Sequence, residues 1–260
     1  MNVSELLDSN LFGLFLQYLQ FDEWMRLRED SIIEKYIENH KWCLSNIVIL
    51  SPDLMKSNNF DFIKKYKYVK CLTLISCKIS TKDIQKILDI LINLESLKIN
   101  SCDLSIIPDL KKLKNLKKLD FSRNFIKEIT TIEIDGLENL DLSNNKIEKI
   151  GGLEKLINLK ELNLGGNKIE KTTAIDVLKN LKNLKELHLS SNKINGEIVF
   201  ERLGNLKNLE KLYLSGNNIE KIGGLEKLIN LKELNLGGNK IEKTTAIDVL
   251  KNLKNLKELH

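Results

Sequence analysis

The stretch LNLGGNKI, at residues 162–169 and again at 234–241, decides the fold because its pattern recurs along most of the chain. The pattern is L-x-L-x-x-(N/C)-x-(I/L), and in two copies Ile or Phe replaces the second Leu. The other copies are LTLISCKI at 72–79, LKINSCDL at 97–104, LDFSRNFI at 119–126, LDLSNNKI at 140–147, LHLSSNKI at 187–194 and LYLSGNNI at 212–219. Their near-constant spacing predicts a protein built from stacked repeats.

The apolar residues of one unit predict a strand that is followed by a buried turn. Leu162 and Leu164 alternate with polar residues, so a β-strand would direct both side chains to one face. The rest of a buried layer would come from Leu153, Leu156, Leu159 and Ile169. One unit cannot cover this layer alone, whereas stacked neighbours can.

The sixth position of every copy carries asparagine or cysteine. Its members are Cys77, Cys102, Asn124, Asn145, Asn167, Asn192, Asn217 and Asn239. An asparagine amide both donates and accepts, so a buried row of them can satisfy backbone groups of the adjoining turns. Free cysteine is a small, often buried residue with a weak donor, and no histidine or carboxylate cluster stands near the two cysteines at ligand spacing. We predict a structural ladder, no metal site and no cofactor.

These motifs resemble the leucine-rich repeat family over about residues 69–260. The mixture of 22-residue and longer units is similar to the intracellular class typified by a regulatory subunit of protein phosphatase 1. The resemblance implies an α/β fold, a curved solenoid with a parallel β-sheet on its concave side and short helices and turns on its convex side. We predict a domain of residues 67–260, with eight repeats and a truncated ninth, behind a helical N-terminal cap.

The length of each unit predicts its convex side. The 25-residue units contain STKDIQKILDILIN at 80–93 and TTAIDVLKNLKN at 172–183, where we expect true helices. In the first, Ile84, Ile87, Leu88 and Leu91 have helical spacing, and Ser80 or Thr81 can cap the start. The 22-residue units have room only for a short 3₁₀ helix or a single turn.

Residues 147–188 and 219–260 are identical at all 42 positions, which indicates an internal duplication in register. His260 therefore stands where His188 stands, inside a strand of a ninth unit. Three explanations of this incomplete ninth unit remain open. The first is a longer natural product, the second is another chain that covers the end, and the third is tolerance of an incomplete last repeat. An uncapped solenoid end exposes core leucines and a strand edge, and such an end would allow oligomers to form.

Residues 1–66 lack the repeat and allow two interpretations. The first is a helical cap, with the β-branched run NIVIL at 46–50 pairing as a strand ahead of the first repeat. The second is an F-box-like module, because LFGLFLQYLQFDEWMRLRED resembles that family. The resemblance rests on Leu14, Tyr18, Leu19, Asp22, Trp24 and Leu27, while Asn10-Leu11 replaces the opening Leu-Pro of the family.

The composition indicates a globular chain that does not cross a membrane. Apolar residues make up 42%, charged residues 30%, and the formal net charge is +5. The longest apolar run is short, the N-terminus is acidic where a signal peptide is basic, and four cysteines form no CxxC pair. We therefore predict a cytoplasmic or nuclear protein. Lysines interleaved with acidic residues argue against a nucleic-acid partner.

The sequence contains no phosphate-binding loop, metalloprotease motif or nucleophile elbow, which predicts a protein that is not an enzyme. Function should therefore reside in the concave surface. Its predicted partner-binding residues are Lys98, Asp120, Asp141, Asn163, His188, Tyr213 and Asn235, flanked by Lys118, Glu161, Glu186, Lys211 and Glu233. Mixed charges and an aromatic anchor suit a protein partner, so we predict a non-catalytic scaffold. The alternatives are an F-box-type substrate adaptor of a ubiquitin ligase and a regulatory subunit of a protein phosphatase.

Overall fold

The computed structural model describes residues 46–49, 69–170, 172–195, 203–242 and 248–260. These residues form one ten-stranded sheet in which every pair of neighbouring strands is parallel and the strand order follows the chain. The strands are β1 (Asn46–Ile49), β2 (Cys71–Ile75), β3 (Ser96–Asn100), β4 (Lys118–Asp120), β5 (Asn139–Asp141), β6 (Glu161–Asn163), β7 (Glu186–His188), β8 (Lys211–Tyr213), β9 (Glu233–Asn235) and β10 (Glu258–Leu259).

A single column of leucines holds neighbouring strands in register. Leu140 of β5 lies beside Leu162 of β6, which lies beside Leu187 of β7 and then Leu212 of β8. All four are buried, whereas the residues on either side of each are at least partly exposed. The period of two places alternate side chains on opposite faces of a strand, so one face of the sheet packs into the core and the other faces solvent.

The core is one continuous apolar cluster that runs from Val69 to Leu253. Each repeat adds its buried strand residues and the isoleucine or leucine two positions after the ladder residue. It also adds the leucines of its return segment, by which we mean the stretch between the turn after one strand and the next strand. The predicted buried layer of the fifth repeat, from Leu153 to Ile169, is completely inaccessible to solvent. Since no repeat closes this layer alone, stability depends on contacts between neighbours.

The N-terminal predictions are confirmed only where the structure describes the chain. Residues 46–49 of the NIVIL segment form β1 and pair in parallel with residues of β2 ahead of the first repeat. The predicted helical cap and the F-box-like stretch lie outside the described residues.

The prediction of true helices in the 25-residue units is right for the first such unit and wrong for the second. Helix α1 (Thr81–Ile90) begins with Ser80, whose Oγ accepts a hydrogen bond from the Asp83 N–H at 3.1 Å and donates to the Asp83 carboxylate at 2.7 Å. Residues Thr172–Asn180 instead form a 3₁₀ helix. The 22-residue unit that follows β8 carries the short 3₁₀ helix Leu225–Lys227, as its length predicts.

The turn after each strand brings the residue before the ladder position into the left-handed backbone region. The residues with positive φ include Ser76, Ser101, Arg123, Asn144, Gly166, Ser191, Gly216 and Gly238. In each of the pairs 151–152, 165–166 and 237–238, the second glycine has a positive φ. This left-handed residue turns the chain out of the strand so that the next side chain can enter the core.

Gly152 should tolerate no side chain. Its φ is +85°, and an added Cβ would lie 2.7 Å from the Thr130 carbonyl oxygen and 2.9 Å from that of Ile129. Because a left-handed conformation costs about 1–2 kcal/mol and backbone must also move, we expect Gly152→Ala to lower the unfolding free energy by about 2–3 kcal/mol. Urea denaturation checks this. An added Cβ at the adjacent Gly151 meets nothing within 4 Å, so Gly151→Ala should change stability by less than about 0.5 kcal/mol. Similar losses in both variants would contradict the explanation.

Candidate functional site

We define the open face as the solvent-facing side of the sheet, formed by the strand residues that alternate with the buried leucines. The structure brings all seven predicted partner-binding residues to it. They form one row across the sheet, in the order Lys98, Asp120, Asp141, Asn163, His188, Tyr213 and Asn235. The predicted flanking residues form a parallel row, in the order Lys118, Glu161, Glu186, Lys211 and Glu233, with Asn139, which was not predicted, between the first two.

A shallow groove of about 350 Å³ crosses the N-terminal half of the open face. It extends from Thr73 on β2 to His188 on β7, and its floor is the buried leucine column. Its walls contain Lys98, Asp120, Asp141, Glu161 and Glu186. A polar groove that is open along its length can admit an extended segment of another molecule.

Four of the seven predicted residues have a structural role in the turn that follows their strand. In each, the Oδ1 atom accepts a hydrogen bond from the backbone N–H two residues later, at distances of 2.8 to 3.1 Å. These residues are Asp120, Asp141, Asn163 and Asn235. Such local bonds are a common use of Asp and Asn at turns. The position of these four is thus explained without any partner.

Lys98 and Asp120 form an ion pair at the N-terminal part of the open face, with 2.7 Å between Nζ and Oδ2. Partial burial opposes ionisation of Asp120, but hydrogen bonds from Lys98 and Ser122 outweigh it and lower the pKa of the carboxyl group. The Asp120 carboxylate therefore remains charged at neutral pH. This pair neutralises one of the positive charges on the face.

His188 and Tyr213 form a stacked aromatic pair on β7 and β8. Their ring centroids are 4.2 Å apart and the ring planes differ by 16°. The His188 Nε2 atom lies 2.6 Å from the Glu186 carboxylate, whose other oxygen lies 3.3 Å from the Lys211 amine. Partial burial opposes ionisation of Glu186, but these two hydrogen bonds prevail and lower its pKa, and Glu186 in turn raises the pKa of Lys211.

Tyr213 remains a phenol under all physiological conditions. Burial of the ring and a hydrogen bond to Glu233 both raise the pKa of the hydroxyl group. The hydroxyl hydrogen is therefore available for donation to the Glu233 carboxylate. The ring of Tyr213 is held by the stacked imidazole of His188.

The open face is acidic although the chain as a whole is basic. Six carboxylates project from it, namely Asp120, Asp141, Glu161, Glu186, Glu233 and Glu258, against the three lysines Lys98, Lys118 and Lys211. The formal net charge of the whole chain is +5. Acidic residues are thus concentrated on the open face. From β6 to β10 this face carries four glutamates and a single lysine, Lys211.

The ladder residues bind backbone groups of their own turn and of the preceding repeat. The Asn167 amide nitrogen donates to the carbonyl oxygens of Leu142 and Leu164, and its Oδ1 accepts from the Ile147 N–H, each at 3.0 Å. Equivalent bonds are made by Asn124, Asn145, Asn192, Asn217 and Asn239.

Cys77 and Cys102 occupy the ladder positions of the first two repeats as free thiols. The Cys102 sulfur accepts a hydrogen bond from the Cys77 N–H at 3.4 Å and donates to the Asn100 carbonyl at 3.2 Å. The hydrogen bond with Cys77 and burial raise the pKa of Cys102. Sulfur is a weak donor and a weak acceptor, so these bonds are weaker than those of the asparagine amides.

A second row of asparagines, which the sequence analysis missed, ties the return segments together. Each amide nitrogen donates to a backbone carbonyl of the preceding repeat at 2.8 or 2.9 Å. The row consists of Asn158, Asn183, Asn208, Asn230 and Asn255. The available signal was the tripeptide Asn-Leu-Lys or Asn-Leu-Glu directly before each of the strands β6 to β10.

The sequence analysis also missed one group of three side chains, within the described residues, that are close enough together to hold a metal ion. Glu233, Glu258 and His260 each offer one ligand atom, and these three atoms lie within 4.8 Å of one another. The signal was the pair of tripeptides ELN and ELH at 233–235 and 258–260, which lie on neighbouring strands.

None of the helices within the described ranges is long and apolar enough to span a membrane.

Comparison with known proteins agrees with this geometry. Models of leucine-rich repeats match residues 135–180 and 207–248, and a further one matches residues 180–201. The fold is similar to an internalin, inlF, from Listeria monocytogenes, with a TM-score of 0.64 and 28% identity. The match covers 77% of this chain and 56% of that one, so this chain spans little more than half of the internalin's length.

A leucine-rich repeat protein of Leptospira interrogans has the same fold, with a TM-score of 0.56 and 24% identity over 75% of this chain and 56% of that chain. The matched segments contain the same strand, ladder and return segment that the structure repeats from β2 to β10. Residues 135–201 and 207–248 therefore match leucine-rich repeats.

Proposed function

We propose that this protein is a non-catalytic scaffold that binds another protein through the open face. The observation that supports this most directly is the stacked pair of His188 and Tyr213, which presents a large aromatic surface in the middle of a polar row. Tyrosine contributes much contact area at a small entropic cost, and such residues dominate binding energies at interfaces. The pair is already fixed before a partner arrives, so little ordering is required on binding.

The charge of the open face favours a partner segment that carries lysine or arginine. Four glutamates surround the aromatic pair, and Lys211 is paired with one of them. A cationic side chain could lie against the Tyr213 ring and near Glu186 and Glu233. The same charge would repel phosphate groups, which argues against nucleic acid.

Two more specific roles, an F-box-type substrate adaptor of a ubiquitin ligase and a regulatory subunit of a protein phosphatase, rest on resemblance alone. Residues of the F-box-like segment lie outside the described residues, and the resemblance to the phosphatase regulator concerns the repeat class, which does not define a function. Neither role gains support from the open face, whereas the scaffold role uses its specific residues. The intracellular location likewise stays a prediction.

The test is the affinity of a partner captured by the full chain and then purified. We expect Tyr213→Ala to weaken binding about tenfold or more, because it removes the central aromatic surface. Ile157→Ala is the matched control, since Ile157 is also apolar and 55% exposed but lies in a return segment away from the open face. Raising the ionic strength from about 0.1 M to about 1 M should weaken binding further.

A partner whose affinity is unchanged by Tyr213→Ala would contradict the proposal. So would a partner that loses affinity to the same extent with Ile157→Ala, because binding would then involve the return segments.

A further inference from the structure

We propose that Glu233, Glu258 and His260 form a binding site for a divalent transition-metal ion, with Zn²⁺ as the ion that the donor set fits. The sequence analysis predicted no metal site, so this proposal departs from that prediction. It does not depend on the proposed scaffold function.

The parallel pairing of β9 and β10 places these three side chains together. Glu258 is the register partner of Glu233, and His260 follows two residues later, so its side chain returns to the same face. The backbone of His260 is fixed on β9 by two hydrogen bonds, from its N–H to Leu234 at 3.0 Å and from the Leu236 N–H to its carbonyl at 2.8 Å. The three donors thus project from a fixed framework.

The distances require only a small adjustment to bind a metal ion. The three donor atoms lie within 4.8 Å of one another, and His260 Nε2 is 4.0 Å from Glu258 Oε2. In a tetrahedral zinc site with bonds of about 2.0–2.2 Å, neighbouring ligand atoms are about 3.4 Å apart. The side chains of Glu258 and His260 are more than half exposed, so rotation about their own bonds can close the difference.

The donor set selects the class of metal ion. One imidazole nitrogen and two carboxylate oxygens suit Zn²⁺ and its neighbours, whereas Ca²⁺ and Mg²⁺ prefer oxygen ligands alone. Water would complete the tetrahedron.

The duplication supplies a natural control in the first copy of the same sequence. Glu161, Glu186 and His188 correspond to Glu233, Glu258 and His260, since residues 147–188 and 219–260 are identical. In that copy Glu186 already binds His188 and Lys211, while Glu161 accepts a hydrogen bond from Asn139. The adjoining Lys211 amine would also repel a cation. We therefore expect no metal ion at Glu161, Glu186 and His188.

Titration of the metal-free full chain with Zn²⁺ alone tests the proposal, by calorimetry and by NMR of the histidine rings. We expect the ring signals of His260 to shift with saturation and those of His188 to remain in place. His260→Ala should weaken Zn²⁺ binding at this site about tenfold or more, and His188→Ala should change it by less than about twofold. Circular dichroism of the metal-free variants establishes that both are folded.

Two results would overturn the proposal. One is the absence of a His260 ring shift in the wild-type chain at saturating Zn²⁺, a result that is independent of any variant's folding. The other is Zn²⁺ binding that His260→Ala leaves unchanged, or that both histidine variants weaken equally, because the cysteines or another site would then hold the ion.

Discussion

Replacing Leu187 by alanine is expected to lower the unfolding free energy by about 3–5 kcal/mol. Leu187 is completely buried in β7, between Leu162 of β6 and Leu212 of β8. Truncation removes the apolar transfer energy of three carbon atoms and leaves a cavity that packed strands on both sides cannot fill. The loss is measured as a shift of the urea denaturation curve monitored by circular dichroism.

The control for this variant is Leu259→Ala, which changes the same residue in an identical local sequence. Leu259 corresponds to Leu187 in the second copy, but it is 50% exposed because β10 has β9 as its single neighbour among the described strands. Effects on the unfolded chain should be nearly the same in both variants, so their difference measures burial. We expect Leu259→Ala to cost about 1 kcal/mol or less. Equal losses would show that the leucine column does not hold the repeats together.

The repeat unit could be predicted because its periodicity directly reflects burial. Leucines that alternate along a strand face one side, and Leu162 and Leu164 are both completely buried. The same alternation predicts that Lys98 and Tyr213 face away from the core, and both lie on the open face. The β-branched run at 46–50 likewise predicts the strand that pairs in parallel with β2.

Features that depend on neighbouring repeats were not predicted. The stacking of His188 on Tyr213 requires two strands in register, and neither residue indicates it alone. The 3₁₀ conformation of Thr172–Asn180 was missed because the length of the unit and its apolar spacing do not distinguish a 3₁₀ helix from an α-helix. The duplication shows that local sequence alone does not determine burial. Leu164 is completely buried, whereas its counterpart Leu236 is only partly buried, although their local sequences are identical. Burial in a solenoid is therefore a property of position in the stack as well as of sequence.

Replacing Asn167 by alanine should cost about 3–5 kcal/mol of unfolding free energy, because three buried backbone groups lose their partner together. The substitution removes the acceptor of the Ile147 N–H and the donor to the carbonyls of Leu142 and Leu164. A buried polar group left without a partner costs about 1–3 kcal/mol. Asn167 is only 7% exposed, so water has little access to the backbone groups that the substitution would leave unpaired. Chemical denaturation gives the loss directly.

The second copy again provides the comparison. Asn239 makes the same three bonds, to Leu214, Leu236 and Ile219, but it is only partly buried. Because water can satisfy the freed groups there, Asn239→Ala should cost about 1–2 kcal/mol. Asn167→Cys should fall between the wild-type chain and Asn167→Ala, since the Cys102 thiol still donates to the Leu74 carbonyl of the preceding repeat, but at 3.7 Å. A cysteine variant less stable than the alanine variant, or equal losses at both asparagines, would mean that ladder hydrogen bonds do not set the stability of the turn.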